Sequence, residues 1–469
     1  MRVLVAGPAK LGLVLLLLCH ASPLLAQNLV ISGTIVTPQR VIPRGWVVIK
    51  DGRILSILDR RPVAADGPRL DTGGIVFPGF VNLHDHPMYN IFKRWNNQVK
   101  FKNRYEWRSL GEYNELVGRP GGDLQRPDPK DPNDQRFCDI DEYVEVKSLI
   151  GGTMSITGIS ARRQATPPVP ACVYGLARNL DWASGFHGTA IGTERVENAL
   201  GIAPRDLGEQ DARRILQELA DNKLDLLLVH VAEGAPGDVE SSVEFRALKG
   251  VGLLGPRTAI IHGAALGGDQ LQEMARTGTA LIWSPRSNFE LYGFTADIAT
   301  AVKEKVTIAL APDWSPTGST SSLAELRYAR RVNHEKLSDL LSDQVLFEMA
   351  TSIPARIAHI DDKVGSLRDG LYADLFVLAG DPRRPYAAVA TAAPGDVQLV
   401  VVGGMPVYGS AKLMTALGVK QETIEVCGTK MSLNASALTS GRFTEVVSRL
   451  GDDLRAYRLQ LGPLAECEK

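Results

Sequence analysis

The stretch Ile75-Val-Phe-Pro-Gly-Phe-Val-Asn-Leu-His-Asp-His86 is an apolar run closed by two histidines one residue apart. In a strand, successive side chains alternate between faces, so His84 and His86 share one face and Asp85 takes the other. Two neighbouring imidazoles can hold one metal ion. The arrangement returns further along the chain. Leu226-Leu-Leu-Val-His230 ends a second strand-like run, with Glu233 three residues beyond it; Thr258-Ala-Ile-Ile-His262 ends a third; Thr307-Ile-Ala-Leu-Ala-Pro-Asp313 ends a fourth in a carboxylate. Short continuous apolar runs suit parallel strands buried on both faces, and a parallel barrel gathers its chemistry at the C-terminal ends of its strands. The expected fold class is therefore α/β, a (β/α)8 barrel.

These residues, in this order, resemble the metal-dependent amidohydrolase superfamily, and within it the deaminase and chlorohydrolase branch. The matching pieces are Pro78-Gly-Phe-Val-Asn-Leu-His-Asp-His86, His230-Val-Ala-Glu233, His262-Gly263, Ser284-Pro-Arg-Ser-Asn288 with Gly293, and Asp313. They fall within a resemblance running from about residue 28 to about 408. It implies that His84, His86, His230 and Asp313 hold one divalent ion, zinc first and iron second. It further implies that Asp313 takes a proton from the attacking water, that His262 holds that water, and that Glu233 carries a proton to the leaving group or ring nitrogen. Arg286 and Asn288 are candidate substrate contacts, Arg286 having a salt bridge to a lid residue as its alternative. Trp314 and Pro316 stand where the deaminases have small polar residues, which counts against purine-like substrates.

Binuclear relatives carry a bridging lysine on a middle strand. Between Lys147 and Lys223 this chain has no lysine, and neither flanking lysine is placed to reach the barrel mouth, so one ion is expected; Glu194 is the one residue considered as a substitute bridge. The reaction implied is hydrolysis of a C–N bond other than a peptide bond, either deamination of a cyclic amidine or opening of a cyclic amide. The alternatives are an exported N-acyl hydrolase or metallopeptidase of the same superfamily, and a binding protein on the same fold.

Residues 1–26 have the charged, apolar and small-residue order of a secretory signal, with an apolar core too short to span a bilayer. Export to a periplasmic or extracellular space is expected, with no membrane anchor after cleavage. In such a compartment Cys138, Cys172, Cys427 and Cys467 have the opportunity to pair. A Cys427–Cys467 bridge is the first expectation and Cys138–Cys172 the second, with four free thiols the alternative. A net charge of −1 with no basic face gives no footprint for nucleic acid, so the expected partner is a small-molecule substrate.

The hairpin signal Asp51-Gly52 predicts a small antiparallel sheet near the start, residues after 361 show the same strand and turn composition, and the resemblance implies that residues 27–75 and 361–412 combine into a small β-sandwich. The barrel is expected over 76–360, with a lid-like insertion at about 96–135. Residues 413–469 form a tail of unassigned structure.

Overall fold

The structure, a computed structural model, describes residues 28–63, 65–126, 131, 134–158, 176–180, 196–198 and 208–467. The expected signal segment, Cys172 and Glu194 lie outside the described residues.

Four strands open the chain: β1 (Leu29–Val36), β2 (Val41–Lys50), β3 (Arg53–Leu58) and β4 (Arg69–Pro78). Asp51 and Gly52 join β2 to β3 with φ of 49° and 78°, the type I′ geometry that an Asp-Gly pair favours. Eight short strands follow: β5 (Phe80–Asn82), β6 (Thr153–Ile156), β7 (Arg178–Asn179), β8 (Val196–Asn198), β9 (Leu226–Val231), β10 (Thr258–His262), β11 (Ala280–Trp283) and β12 (Ile308–Leu310). They pair in parallel as β5-β6-β7 and β8-β9-β10-β11-β12. The seam between β5 and β12 is closed by the backbone, His86 N–H donating to Asp313 O and Asp313 N–H to His84 O, each at 3.1 Å. This is the (β/α)8 barrel. Helices precede its strands, among them Arg136–Ile150, Glu209–Ala220, Val239–Gly250 and Gly268–Thr277.

Alternation along the barrel strands divides the core in two. Val81, Leu228, Ile261, Ile282 and Ala309 pack together in one cluster, while Leu227, Val229, Ile260 and Leu281 belong to another that includes helix residues such as Ile215, Leu248 and Met274. Each fully buried Leu or Ile contributes about 1.5–3 kcal/mol, and a one-residue slip of any strand would exchange its two faces. Strand register therefore also fixes which way His230 points.

The last strands, β13 (Leu375–Leu378), β14 (Val397–Val402), β15 (Met405–Ser410), β16 (Gln421–Val426) and β17 (Thr429–Asn434), join the first four in one nine-stranded sheet of order β16-β17-β15-β14-β13-β4-β1-β2-β3. The sheet is thus built from both chain ends, and β13 pairs antiparallel to β4. The segment beyond residue 412 continues this sheet through β16 and β17 and adds a helix, Phe443–Ala456, which is tied to helix Arg136–Ile150 by Arg449 and Asp139 at 2.7 Å. Cys427 and Cys467 are bridged, as expected. Cys138 is also disulfide-bonded. Sheet and barrel are latched by Arg178, whose guanidinium makes two hydrogen bonds of 2.6 and 2.9 Å to Asp374.

Candidate metal centre

His84 and His86 follow β5, His230 lies in β9, His262 ends β10 and Asp313 follows β12, so the barrel brings all five to one mouth. Asp85 turns to the other face, as alternation requires, and accepts from Asn82 and Asn90 at 2.8 and 2.9 Å; burial pushes its carboxyl up to about 7. His262 and Asp313 carry φ of 67° and 68°. For non-glycine residues that backbone costs about 1–3 kcal/mol each and is typical of functional sites.

The donor set fits a cation. His84 Nε2 and His86 Nε2 lie 3.3 and 3.4 Å from the same Asp313 Oδ1. His84, His230 and His262 offer ring nitrogens within 4.8 Å of one another. His84 Nε2, His230 Nδ1 and Asp313 Oδ1 are buried with no hydrogen-bond partner. Such an orphaned group costs about 1–3 kcal/mol when left unsatisfied, and a bound cation would relieve it. Burial and the neighbouring imidazoles hold His84 and His230 far below the usual histidine range, which keeps them neutral, as ligation requires. Ser284 Oγ, 2.8 Å from His84 Nδ1, turns the Nε2 edge of that ring inward.

His262 stands close enough to count as a ligand, but its hydrogen bonds give it another role. Trp283 Nε1–H, a donor only, donates to Thr295 Oγ1 at 2.8 Å. The Thr295 hydroxyl then donates to Asn288 Oδ1 at 3.1 Å. That leaves Asn288 Nδ2 to donate to His262 Nδ1 at 2.9 Å. With Nδ1 accepting, the proton of neutral His262 sits on Nε2. That atom faces Glu233 Oε2 at 3.7 Å and Asp313 Oδ2 at 4.0 Å, and burial lowers the ring's pKa to about 3. His262 Nε2–H thus faces the two carboxylates as a donor, and the side chains whose donor atoms lie close enough to share an ion are His84, His230 and His262, and His84, His86 and Asp313. Asn288, fully buried, positions His262.

Glu233 is held by residues that sequence reasoning missed. Tyr292 donates to its Oε1 at 2.7 Å, Trp107 Nε1–H donates to Tyr292 Oη at 2.9 Å, and Arg104 lies 3.7 Å from its Oε2. Burial raises the Glu233 pKa while Arg104 and Tyr292 hold it back. Arg104 and Trp107 come from the insertion after β5, whose helix Arg104–Arg108 is capped by the Asn103 side chain. Arg104 N–H donates to the Glu233 carbonyl at 3.2 Å. The insertion therefore forms a wall of the cleft.

Trp107, Tyr113 and Trp314 line this wall, their ring centroids 5.0–6.2 Å apart, over a cavity of about 260 Å³. Arg286 lies outside this lining. Its guanidinium pairs with Glu466 and sits over the Tyr328 ring at 5.5 Å, so the partner the structure gives it is the C-terminal segment. Lys147 donates to the Asn90 carbonyl at 2.7 Å, and Lys223 pairs with Asp221.

An eight-stranded parallel barrel with this mouth is similar to those of the metal-dependent amidohydrolases, hydrolases acting on carbon–nitrogen bonds. Comparison with known proteins agrees. The amidohydrolase family matches residues 223–407. The chain is 25% identical over 434 residues to a 5-methylthioadenosine/S-adenosylhomocysteine deaminase of Symbiobacterium thermophilum, covering 81% of this chain and 94% of the relative. It is 24% identical to a 5'-deoxyadenosine deaminase of Methanothermobacter thermautotrophicus, covering 81% and 92%. Among solved structures, a zinc-bound adenosine deaminase from Xanthomonas campestris superposes with a TM-score of 0.67 at 17% identity, covering 92% of this chain and 99% of the other. The zinc complex of atrazine chlorohydrolase from Arthrobacter aurescens gives 0.62 at 16% identity, covering 91% and 99%. The sequence resemblance thus runs to deaminases, and the fold is shared with a chlorohydrolase.

Proposed function

We propose that this protein is an exported hydrolase that uses one divalent ion, zinc by preference, to deaminate a cyclic amidine or open a cyclic amide in a small planar substrate. The observation that carries the reading is the placement of Glu233 Oε2 within 3.7 Å of the His262 proton position, beside the unpaired ligand atoms and beneath an aromatic wall. When bound by His84, His86, His230 and Asp313, the cation lowers the pKa of a water toward about 7 and so supplies a nucleophile at neutral pH. Asp313, whose Oδ2 lies 4.0 Å from His262 Nε2, would accept the proton of that water. His262 Nε2–H donates to the oxygen that adds to the ring carbon. Glu233, its pKa raised by burial, carries the proton to the departing nitrogen as a general acid. Trp107, Tyr113 and Trp314 offer faces on which a flat ring can stack.

Lys147 and Lys223 are both engaged elsewhere, which supports a single ion. Zinc-bound neighbours of the same fold support its identity. The curated relatives named above act on adenosine derivatives. Trp314, packed against His86 with ring centroids 5.4 Å apart, leaves less room beside Asp313, and we expect adenosine-type substrates to be poor. The Cys427–Cys467 bridge supports an oxidising compartment. The test is product analysis of the zinc-loaded enzyme with cyclic amides, aminated heterocycles, 5'-deoxyadenosine and N-acyl amino acids. Ammonia release or ring-opened carboxylate supports the reading, and hydrolysis confined to N-acyl amino acids overturns it.

A further inference from the structure

The cleft has two chemically different ends. At the inner end, beside the ligand set, stand the carboxylates Glu233 and Asp313. Toward the outer end, side-chain donors take over. Arg104 and Arg108 are four residues apart on helix Arg104–Arg108 and so share a face. Arg104 is buried and neutralised, by Glu244 at 2.8 Å and Glu233 at 3.7 Å. Arg108, one turn further on, lines the same cavity, is exposed, and has no ion pair or side-chain hydrogen bond among the described residues. Gln125, in the same lining, has a buried Nε2 that also lacks a hydrogen-bond partner. The hydroxyls of Tyr89 and Tyr113, in the same lining, make no hydrogen bond among the described residues.

The mounting of Arg108 is rigid. Its helix is fixed at the start by Asn103, whose Nδ2 donates to Asp238 at 3.0 and 3.1 Å, and on its inner side by the Trp107 bond to Tyr292. A guanidinium carried on a helix anchored in this way can meet a planar anion bidentately. Its charge acts on His86 and Glu233, in keeping with its place in the lining of the same cavity.

We propose that the outer half of the cleft is a carboxylate subsite, with the Arg108 guanidinium and Gln125 Nε2 as its donors, so that the substrate is a planar cyclic amidine or amide bearing an acidic side group. This rests on the hydrolase reading above and adds what the far end of the substrate carries. Arg108 is then a specificity residue, selecting acidic molecules over neutral ones of the same ring.

Paired probes test it. Calorimetric titration of zinc-loaded Glu233→Gln protein, which holds ligands without rapid turnover, compares hydantoin-5-acetate with hydantoin-5-acetamide and cytosine-5-carboxylate with cytosine-5-carboxamide. The carboxylate of at least one pair is expected to bind on the order of ten- to hundredfold more tightly, the worth of a hydrogen bond to a charged group. That ratio is expected to fall toward one when Arg108→Ala is added and to return in part with Arg108→Lys. Equal affinity within each pair, or a ratio that survives Arg108→Ala, overturns the inference. The active enzyme is assayed on the same pairs. Turnover of the neutral members as fast as the acidic ones leaves C–N hydrolysis standing and overturns the subsite alone. Neither binding nor turnover of any member counts against both.

Discussion

Asn288 Nδ2 donates to His262 Nδ1 at 2.9 Å, and the proton of the neutral imidazole is thereby assigned to Nε2, the edge that faces Glu233 and Asp313. The assignment follows from the Thr295 hydroxyl donating to Asn288 Oδ1, which leaves the Asn288 amide N–H for His262. Residues orienting groups around a metal site typically change activity by about 10–100-fold when removed. Asn288→Ala is therefore expected to lower kcat by about that factor with metal content unchanged. Asn288→Asp is expected to be worse, because a carboxylate accepts from Nδ1–H and strips the proton from Nε2. Steady-state kinetics with metal analysis checks both; equal activity of the aspartate variant and the parent would remove the donor role of His262.

Glu233 is assigned to proton transfer and not to ligation. Glu233→Gln keeps the shape and the bond from Tyr292, and is expected to reduce turnover by about 10²–10⁴-fold with a full complement of metal. Loss of the ion from this variant would make Glu233 a ligand instead.

Arg104 opposes the effect of burial on Glu233. An adjacent opposite charge lowers a carboxyl pKa by about 1–3 units, so Arg104→Met is expected to raise the Glu233 pKa. The limb of the pH profile of kcat/KM that Glu233 governs then moves to higher pH, by about one unit or more. A limb that stays in place would show that Arg104 serves only to pair Glu244.

Much of the site could be read from single residues at strand ends. His84, His86, His230, His262 and Asp313 stood out because continuous apolar runs end at each of them, and the barrel carries those ends to one mouth. Arg104 and Trp107 could not be read the same way: they sit in an insertion of short helices with no period of its own, and their meaning depends on Glu233 and Tyr292, distant in sequence. The partner of Arg286 was hidden for a related reason. The arginine lies in a matching motif, and only the fold shows that Glu466, 180 residues away, takes its guanidinium. The hairpin of β16 and β17 did have a local signal. Gln421–Val426 alternates in burial, and its turn residues Cys427 and Gly428 have φ of 51° and 74°. A cysteine where asparagine or aspartate is usual disguised the turn.

That cysteine leads to a further expectation. The Cys427–Cys467 bridge closes a separation of 40 residues and fixes the end of the chain beside Glu466, which binds Arg94 at 2.6 Å and pairs with Arg286. Cross-linking a loop of this length stabilises a protein by about 3–4 kcal/mol when it adds no strain. Cys427→Ser with Cys467→Ser is expected to lower the urea-unfolding free energy by up to that amount, and non-reducing peptide mapping of the parent is expected to find the pair linked. An unchanged unfolding midpoint would show that the bridge contributes nothing beyond the packing of the segment.

The central claim, a single catalytic ion held by His84, His86, His230 and Asp313, is tested most directly by stripping the purified enzyme with a chelator and titrating zinc back while following turnover and bound metal together. No turnover is expected in the stripped enzyme, with recovery that rises linearly and stops at about one ion per chain, and no binding at this site in His230→Ala. Full turnover after complete removal of metal, or recovery that begins only as a second ion binds, would contradict it.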